Sequence, residues 1–376
     1  MKIARVETTP LFVPYARPFY WAQGVTEGAA VVLVQVHTDA GIVGYGESVG
    51  TPSPTAIQAY LELAERICVG RDPFTHARLM SEVYQRLFQA QGTGSAPRFA
   101  GQVRCGLEMA LWDVMGKAME RPVHELLGGA VRDEIGYFGF AQGEDAVAVA
   151  ADAAQLAAEG CEVIYVKVGR GDDVDLATAK AVRAAIGPNR RMRVDANEHW
   201  APDHAKRMIA ALALAGVEVV EQPTSSESLQ QLAQVRASSP IAIAADQAVF
   251  TPSDVYAACR IGAADLIVIG LHETGGLSRF RKAAHVAEAA GVNVCVHSVH
   301  ETGITTCAAN QVAATVPNLD DANQHMTRFL EYDIVKRPAL TLRAGRLPVL
   351  EGPGLGFDLD WDAIERARAS HARVGR

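Results

Sequence analysis

Apolar positions along the chain follow two textures. In the first 128 residues a strand pattern leads. VVLVQVHTD (31–39) is a nearly unbroken apolar run, and DAGIVGYGES (39–48) turns on its glycines into a second strand. The pattern then changes to helical spacing in AIQAYLELAERICVG and FTHARLMSEVYQRLFQ. GQVRCGLEMALWDVMGKAM is a third helix, stopped by Pro122, and Gly128–Gly129 ends the short one after it. This predicts an α+β unit.

From about residue 129 a repeating unit takes over. Short β-branched runs recur as IGYFGF, EVIYVKVG, MRVDAN, VEVVEQP, IAIAADQ, LIVIG and VNVCVHS. Alanine-rich helices such as HAKRMIAALALAG and SRFRKAAHVAEAAG separate them. Strands alternating with helices imply right-handed βαβ units and a parallel sheet buried on both faces. Roughly 210 residues of such units suit an α/β fold closed into a (β/α) barrel, with its eighth strand near Asp320–Gln324. An open doubly wound sheet fits less well, since no G-x-G-x-x-G follows the first strand. LRAGRLPVLEGPGLGFDLD (342–360) returns to strand and turn chemistry. The expected organisation is an α+β capping domain over 1–128, a barrel over 129–340, and a segment over 341–376 that returns to the cap.

Composition narrows the functional classes. The 376 residues carry 35 basic and 43 acidic side chains, a net charge of −8 without basic blocks, which argues against nucleic acid as a partner. No apolar run approaches the roughly 20 residues of a membrane span, and MKIARVETTPLFVPY lacks a signal-peptide core. A cytoplasmic protein with no membrane partner is expected. The six cysteines form no C-x-x-C pair and read as reduced core residues.

Candidate chemistry stands at the strand ends, where barrels gather it. These ends read Lys167, Asp195, Glu221, Asp246, Gly270 and His297, at intervals of 28, 26, 25, 24 and 27 residues. One βα unit each time puts them in phase. Three successive carboxylates in one mouth repel one another unless a cation neutralises them. All-oxygen ligation by Asp195, Glu221 and Asp246 suits Mg²⁺ first and Mn²⁺ second. A lysine beside such a cation has the chemistry of a base.

These residues carry a resemblance. GIVGYGES, LEMALWDVMGKAMERPVHELLGG, YVKVG, VDANEHW, VEQP, AADQ, Gly275–Gly276 and EGPGLG stand where the patterns of the enolase superfamily would put them. The chain resembles that superfamily's branch of muconate lactonizing enzyme and mandelate racemase. The resemblance implies an enolase-like cap over a modified barrel, and an Mg²⁺-dependent enzyme that abstracts a proton α to a carboxylate to give a metal-stabilised enolate. By position Asp195, Glu221 and Asp246 match the metal ligands, and Lys167 the acid or base of the K-x-K strand. A small carboxylic acid is the implied partner and a homo-oligomer the implied assembly.

Three departures shape the expectation. Tyr165 replaces the first lysine of K-x-K, supplying a hydrogen bond but no charge. The sixth strand ends in Gly270, which leaves both the two-lysine machinery and the His–Asp dyad incomplete. Gln247 follows the third ligand. Facing Lys167, His297 is the first candidate for the second acid–base group, with His300 and His272 as alternatives. PFYWAQGVT (18–26) is expected as a loop over the mouth, with Phe19, Tyr20 and Trp21 facing inward and Tyr20 and Trp21 on the substrate, which favours an apolar, aromatic or cationic substrate. Asn197, Asp321 and Asn323 complete the expected substrate contacts. An isomerase (racemase, epimerase or cycloisomerase) is the leading reading, a dehydratase the alternative, and a non-catalytic acid-binding barrel the reading from another class.

Overall fold

The computed structural model describes residues 1–51, 53–89 and 97–374. The cap begins with three antiparallel strands in the order β1 (Ile3–Trp21), β2 (Gly24–Thr38) and β3 (Val43–Val49). β1 was not legible as a strand because prolines interrupt it. It is an edge strand, where a missing N–H is tolerated, so Pro10 sits opposite Val32 and Pro14 opposite Gly28. β2 lies in the centre, which explains its continuous apolar run. Val31 and Leu33 face the barrel, while Val32, Val34 and Val36 face the cap helices. Those helices are α1 (Pro54–Cys68), α2 (His76–Tyr84) and α3 (Pro97–Met119). The glycines of GIVGYGES serve packing: a Cβ on Gly44 or Gly46 would lie 2.1 Å from a carbonyl oxygen of α3.

The second domain is a modified barrel. After β4 (Glu134–Gly136), seven parallel strands follow in chain order: β5 (Gly139–Ala141), β6 (Val163–Lys167), β7 (Arg191–Asp195), β8 (Val219–Glu221), β9 (Ala242–Ala245), β10 (Leu266–Gly270) and β11 (Asn293–His297). The expected eighth strand is replaced by an irregular segment over 318–324. Its backbone bridges β11 through Val294 and Val296, and meets the first strand at Gly136 and Phe138. A side chain completes this seam. Asn323 is fully buried; its Oδ1 accepts from Val296 N–H at 2.7 Å, and its Nδ2 donates to the carbonyls of Gly136 and Asp320 at 2.8 Å each. Asn323 is therefore a seam residue with no donor left for a substrate. Asp321 is displaced as well, with its carboxylate 3.7 Å from Arg346 and outside the wall of the main cavity.

Cap carboxylates tie the domains together. Buried Glu47 accepts from Thr302 N–H, Thr302 Oγ1 and Thr305 N–H at the start of the barrel helix Gly303–Ala313. Glu108 on α3 does the same for the helix Leu277–Ala289. Both place negative charge where a helix dipole favours it. The last helix, Trp361–Val374, packs on β1, and Trp361 meets the Tyr45 ring at 6.1 Å. Among the described residues no helix is long and apolar enough to cross a membrane.

Truncation of the seam residue, Asn323→Ala, removes the side-chain hydrogen bonds to Val296 N–H and to the Gly136 and Asp320 carbonyls and is expected to lower stability by about 3 kcal/mol in chemical denaturation. If Asn323 acted on substrate instead, the variant would keep its stability and lose only substrate affinity.

Candidate active site

Strand register delivers the side chains predicted to share one mouth. Lys167 pairs with Asp195, Asp195 with Glu221, and Gly270 with His297 across neighbouring strands. Asp195, Glu221 and Asp246 are buried, and one carboxylate oxygen from each lies within 4.8 Å of the others. Asp195 is the best supported. Its Oδ1 accepts from Asn197 N–H at 2.7 Å, and its Oδ2 accepts from the Tyr165 hydroxyl at 2.9 Å and from the Lys167 ammonium. Both oxygens of Asp246 are buried without a hydrogen-bond partner.

The electrostatics follow from this crowding. Burial pushes Glu221 well above the usual carboxylate range, and Asp195 and Asp246 push it further. Burial raises Asp246 to about 7, against the pull of His297. The Tyr165 phenol is held far above its ordinary value by burial and by Asp195, so it stays neutral and donates. Its ring stacks on Phe138 at 4.2 Å, behind the Asp195 carboxylate and outside the cavity wall. Three converging carboxylates with two orphaned oxygens are costly alone and fit a hard divalent cation. Asp195, Glu221 and Asp246 could hold it.

His297 has a partner that the sequence reading missed. Its Nδ1 lies 2.9 Å from Glu273 Oε1 and 3.6 Å from Asp246 Oδ1. Glu273 stands on the short helix Leu271–Thr274, and its Oε2 accepts from Gly270 N–H at 2.8 Å. The aspartate of a His–Asp dyad is absent from the strand end, as the sequence reads, but a glutamate stands beside His297 instead. The carboxylate comes from three residues beyond the strand end, as a helix N3 side chain. Gly270 permits the approach, because a Cβ there would meet His297 O at 2.8 Å and Glu273 Oε2 at 3.0 Å. Burial opposes charge on His297, yet the carboxylates of Asp246 and Glu273 raise it to about 10. The only available signal was the G-x-x-E spacing of a capping box.

The other histidines separate. His272 is buried outside the mouth, its Nε2 2.9 Å from Thr305 Oγ1, and burial lowers it to about 3. His300 does line the mouth. Its Nδ1 is 2.7 Å from the Tyr15 hydroxyl, and burial with the Lys167 and His297 charges holds it near 4. It is a neutral wall group.

The mouth opens into a cavity of about 750 Å³ shared by both domains. Lys167, His297 and Asn197 line it from the barrel, and Phe19, Trp21 and Gln102 from the cap. The segment expected as a loop is a hairpin tip: β1 runs to Trp21 and pairs with β2. Strand alternation thus sends Phe19 and Trp21 inward and Tyr20 away. Tyr20 takes its backbone N–H to Gln142 and its ring to the Arg170 guanidinium, 5.9 Å off. Two further wall residues escaped the sequence reading. Gln324 occupies the place sought for Asp321 and Asn323, and Arg98 opens α3 beside Phe250. Neither had a motif to mark it.

Comparison with known proteins agrees with this geometry. Residues 4–128 match the mandelate racemase / muconate lactonizing enzyme N-terminal domain, and residues 148–363 the enolase C-terminal domain-like family. Muconate cycloisomerase 1 of Rhodococcus opacus is 30% identical over 373 residues, covering 97% of this chain and 98% of its own. The structure of muconate lactonizing enzyme from Pseudomonas fluorescens complexed with muconolactone superposes with a TM-score of 0.91 at 28% identity, covering 97% of this chain and 99% of that one. The dipeptide epimerase of Enterococcus faecalis V583, complexed with Mg and the dipeptide L-Leu-L-Tyr, gives 0.88 at 28% identity, covering 95% and 100%. With both domains matched along nearly the full length, the chain belongs to the mandelate racemase / muconate lactonizing enzyme branch of the enolase superfamily.

Proposed function

We propose that this protein is an Mg²⁺-dependent isomerase that removes and returns a proton α to a carboxylate. One observation carries the reading. Lys167 and His297 line the same cavity from opposite ends of the strand arc, with the three buried carboxylates between them. The relatives supply context, being isomerases of two kinds, cycloisomerases and epimerases.

Each residue has a task that its surroundings support. A divalent cation held by Asp195, Glu221 and Asp246 would neutralise the substrate carboxylate and the charge that develops as the α-proton leaves. Lys167 takes the proton on one face. His297 delivers or takes one on the other through Nε2, because Glu273 holds Nδ1. Tyr165 fixes the Asp195 carboxylate through its hydroxyl. Phe19, Trp21, Phe250 and Met326 give the cavity apolar walls, which suits a carboxylic acid with an apolar substituent. Loss of a β-hydroxyl is the second reading. The His297–Glu273 pair favours it to the extent that an imidazolium held by a carboxylate can protonate a departing hydroxyl.

Exchange in D₂O tests the proposal. With Mg²⁺ and a library of N-acylated amino acids, dipeptides and hydroxy acids, deuterium is expected at the α carbon of the true substrate class. Lys167→Ala should abolish exchange from one enantiomer and His297→Asn from the other. Glu273→Gln should slow the histidine-dependent direction about 100-fold. Exchange that survives Lys167→Ala in full would sink the mechanism. Formation of a keto acid in place of the other isomer would select dehydration, and no exchange with any acid would point to a binding protein.

The metal proposal has its own readout in stability. Without metal, Asp246 (ordinary value 3.8, about 7 when folded) and His297 (6.5, about 10 when folded) both hold protons more tightly in the folded state. Stability from such groups is full at low pH and is lost as pH rises through the folded values. His272 and His300, held low, act oppositely, but only below about pH 6.5. EDTA-treated protein should therefore unfold several degrees lower at pH 9 than at pH 6.5. Mg²⁺ should remove most of that decline, and Asp246→Asn should remove the Mg²⁺ effect. An unchanged melting profile on adding Mg²⁺ would contradict the assignment.

A further inference from the structure

A second concentration of charge lies away from the barrel mouth. Although the chain carries a net charge of −8, the crevice between α2, α3 and the helix Leu277–Ala289 is lined by Arg104, Arg279 and Lys282. It encloses about 420 Å³. Arg104 is two residues from Gln102, which lines the mouth, so α3 turns the two side chains in different directions.

Arg104 is only 8% exposed, yet its Nε has no hydrogen-bond partner, and the guanidinium makes no ion pair among the described residues. Its one ring contact is with Tyr84, whose centroid lies 5.2 Å away. The carboxylate facing the same crevice is Glu108, and it is already engaged. Oε2 accepts from Leu277 N–H, while Oε1 accepts from Ser278 N–H, the Ser278 hydroxyl and Trp112 Nε1. Arg279 spends only Nε, on the Thr274 carbonyl at 2.7 Å, and Lys282 has no hydrogen bond or ion pair among the described residues. Burial and the Arg279 charge lower Arg104 to about 10, against the pull of Glu108. A buried guanidinium is normally paired, because removing it from water without a partner is costly. Its fork of donors matches an oxyanion in two-point contact.

We propose that this crevice is a second binding site, separate from the active site, for a small multiply charged oxyanion: free phosphate or the phosphate group of an organic phosphate. Arg104 supplies the buried donors, and Arg279 and Lys282 close over the exposed side. The site spans the cap and a barrel helix, so an anion held there would brace the two domains against each other.

The test is calorimetric titration and thermal denaturation of the Mg²⁺-loaded protein with inorganic phosphate and, separately, glycerol phosphate, at constant ionic strength held with chloride. Saturable binding and a raised melting temperature are expected. Tighter binding of glycerol phosphate identifies an organic phosphate as the ligand, and tighter binding of phosphate identifies the free ion. Arg104→Met should weaken binding at least about tenfold without lowering the melting temperature of the anion-free protein, since it removes an unpaired cation. If that variant does not fold, Arg279→Gln/Lys282→Gln, which alters only the rim, should still weaken binding. No saturable binding of either probe would overturn the proposal. Binding that is undiminished in these variants and lost in Lys167→Ala would do the same, because the anion would then sit in the mouth.

Discussion

Three buried carboxylates that share one mouth are the constraint on which the rest of the site depends. Asp195 and Glu221 are register partners at the ends of adjacent strands, and Asp246 follows directly on the next strand, so the three carboxylates converge. The neighbouring groups answer that charge. Lys167 and Tyr165 both turn to Asp195, and His297 sits between Asp246 and Glu273. Lys167, Tyr165 and His297 are therefore held in place by the same negative charge that would gather a cation. Replacing one carboxylate would disturb the orientation of its neighbours as well as the binding of any cation held there.

The cap enters this arrangement through two kinds of contact. Glu47 and Glu108 use buried carboxylates to satisfy the first turns of barrel helices, which are the parts of a helix with spare N–H donors. This rigid attachment lets the β1–β2 hairpin and the start of α3 act as walls of a cavity whose floor belongs to the barrel. The clustered polar groups thus stand on strand ends, while the hairpin and α3 add walls from the other domain to those of the barrel.

Much of this is legible in the sequence. A repeat of about one βα unit between Lys167, Asp195, Glu221, Asp246 and His297 placed them in one mouth, because strand direction and unit length determine which end of a strand faces the ligand. The apolar run of β2 marked a strand covered on both sides. β1 stayed hidden because an edge strand tolerates Pro10 and Pro14, and alternation there is weak.

Only the tertiary structure decided the rest, and each case has the same cause. Glu273 reaches His297 from a different strand–helix unit, through space opened by Gly270, and no spacing encodes that meeting. Asn323 has the residue type of a substrate contact, but the irregular eighth segment spends all its hydrogen bonds on closing the barrel. Tyr20 and Trp21 are equivalent in composition, and a strand period of two sends one away and the other inward. Periodicity along a chain determines which residues share a face of one element. Partners brought together from different elements are set by how those elements pack.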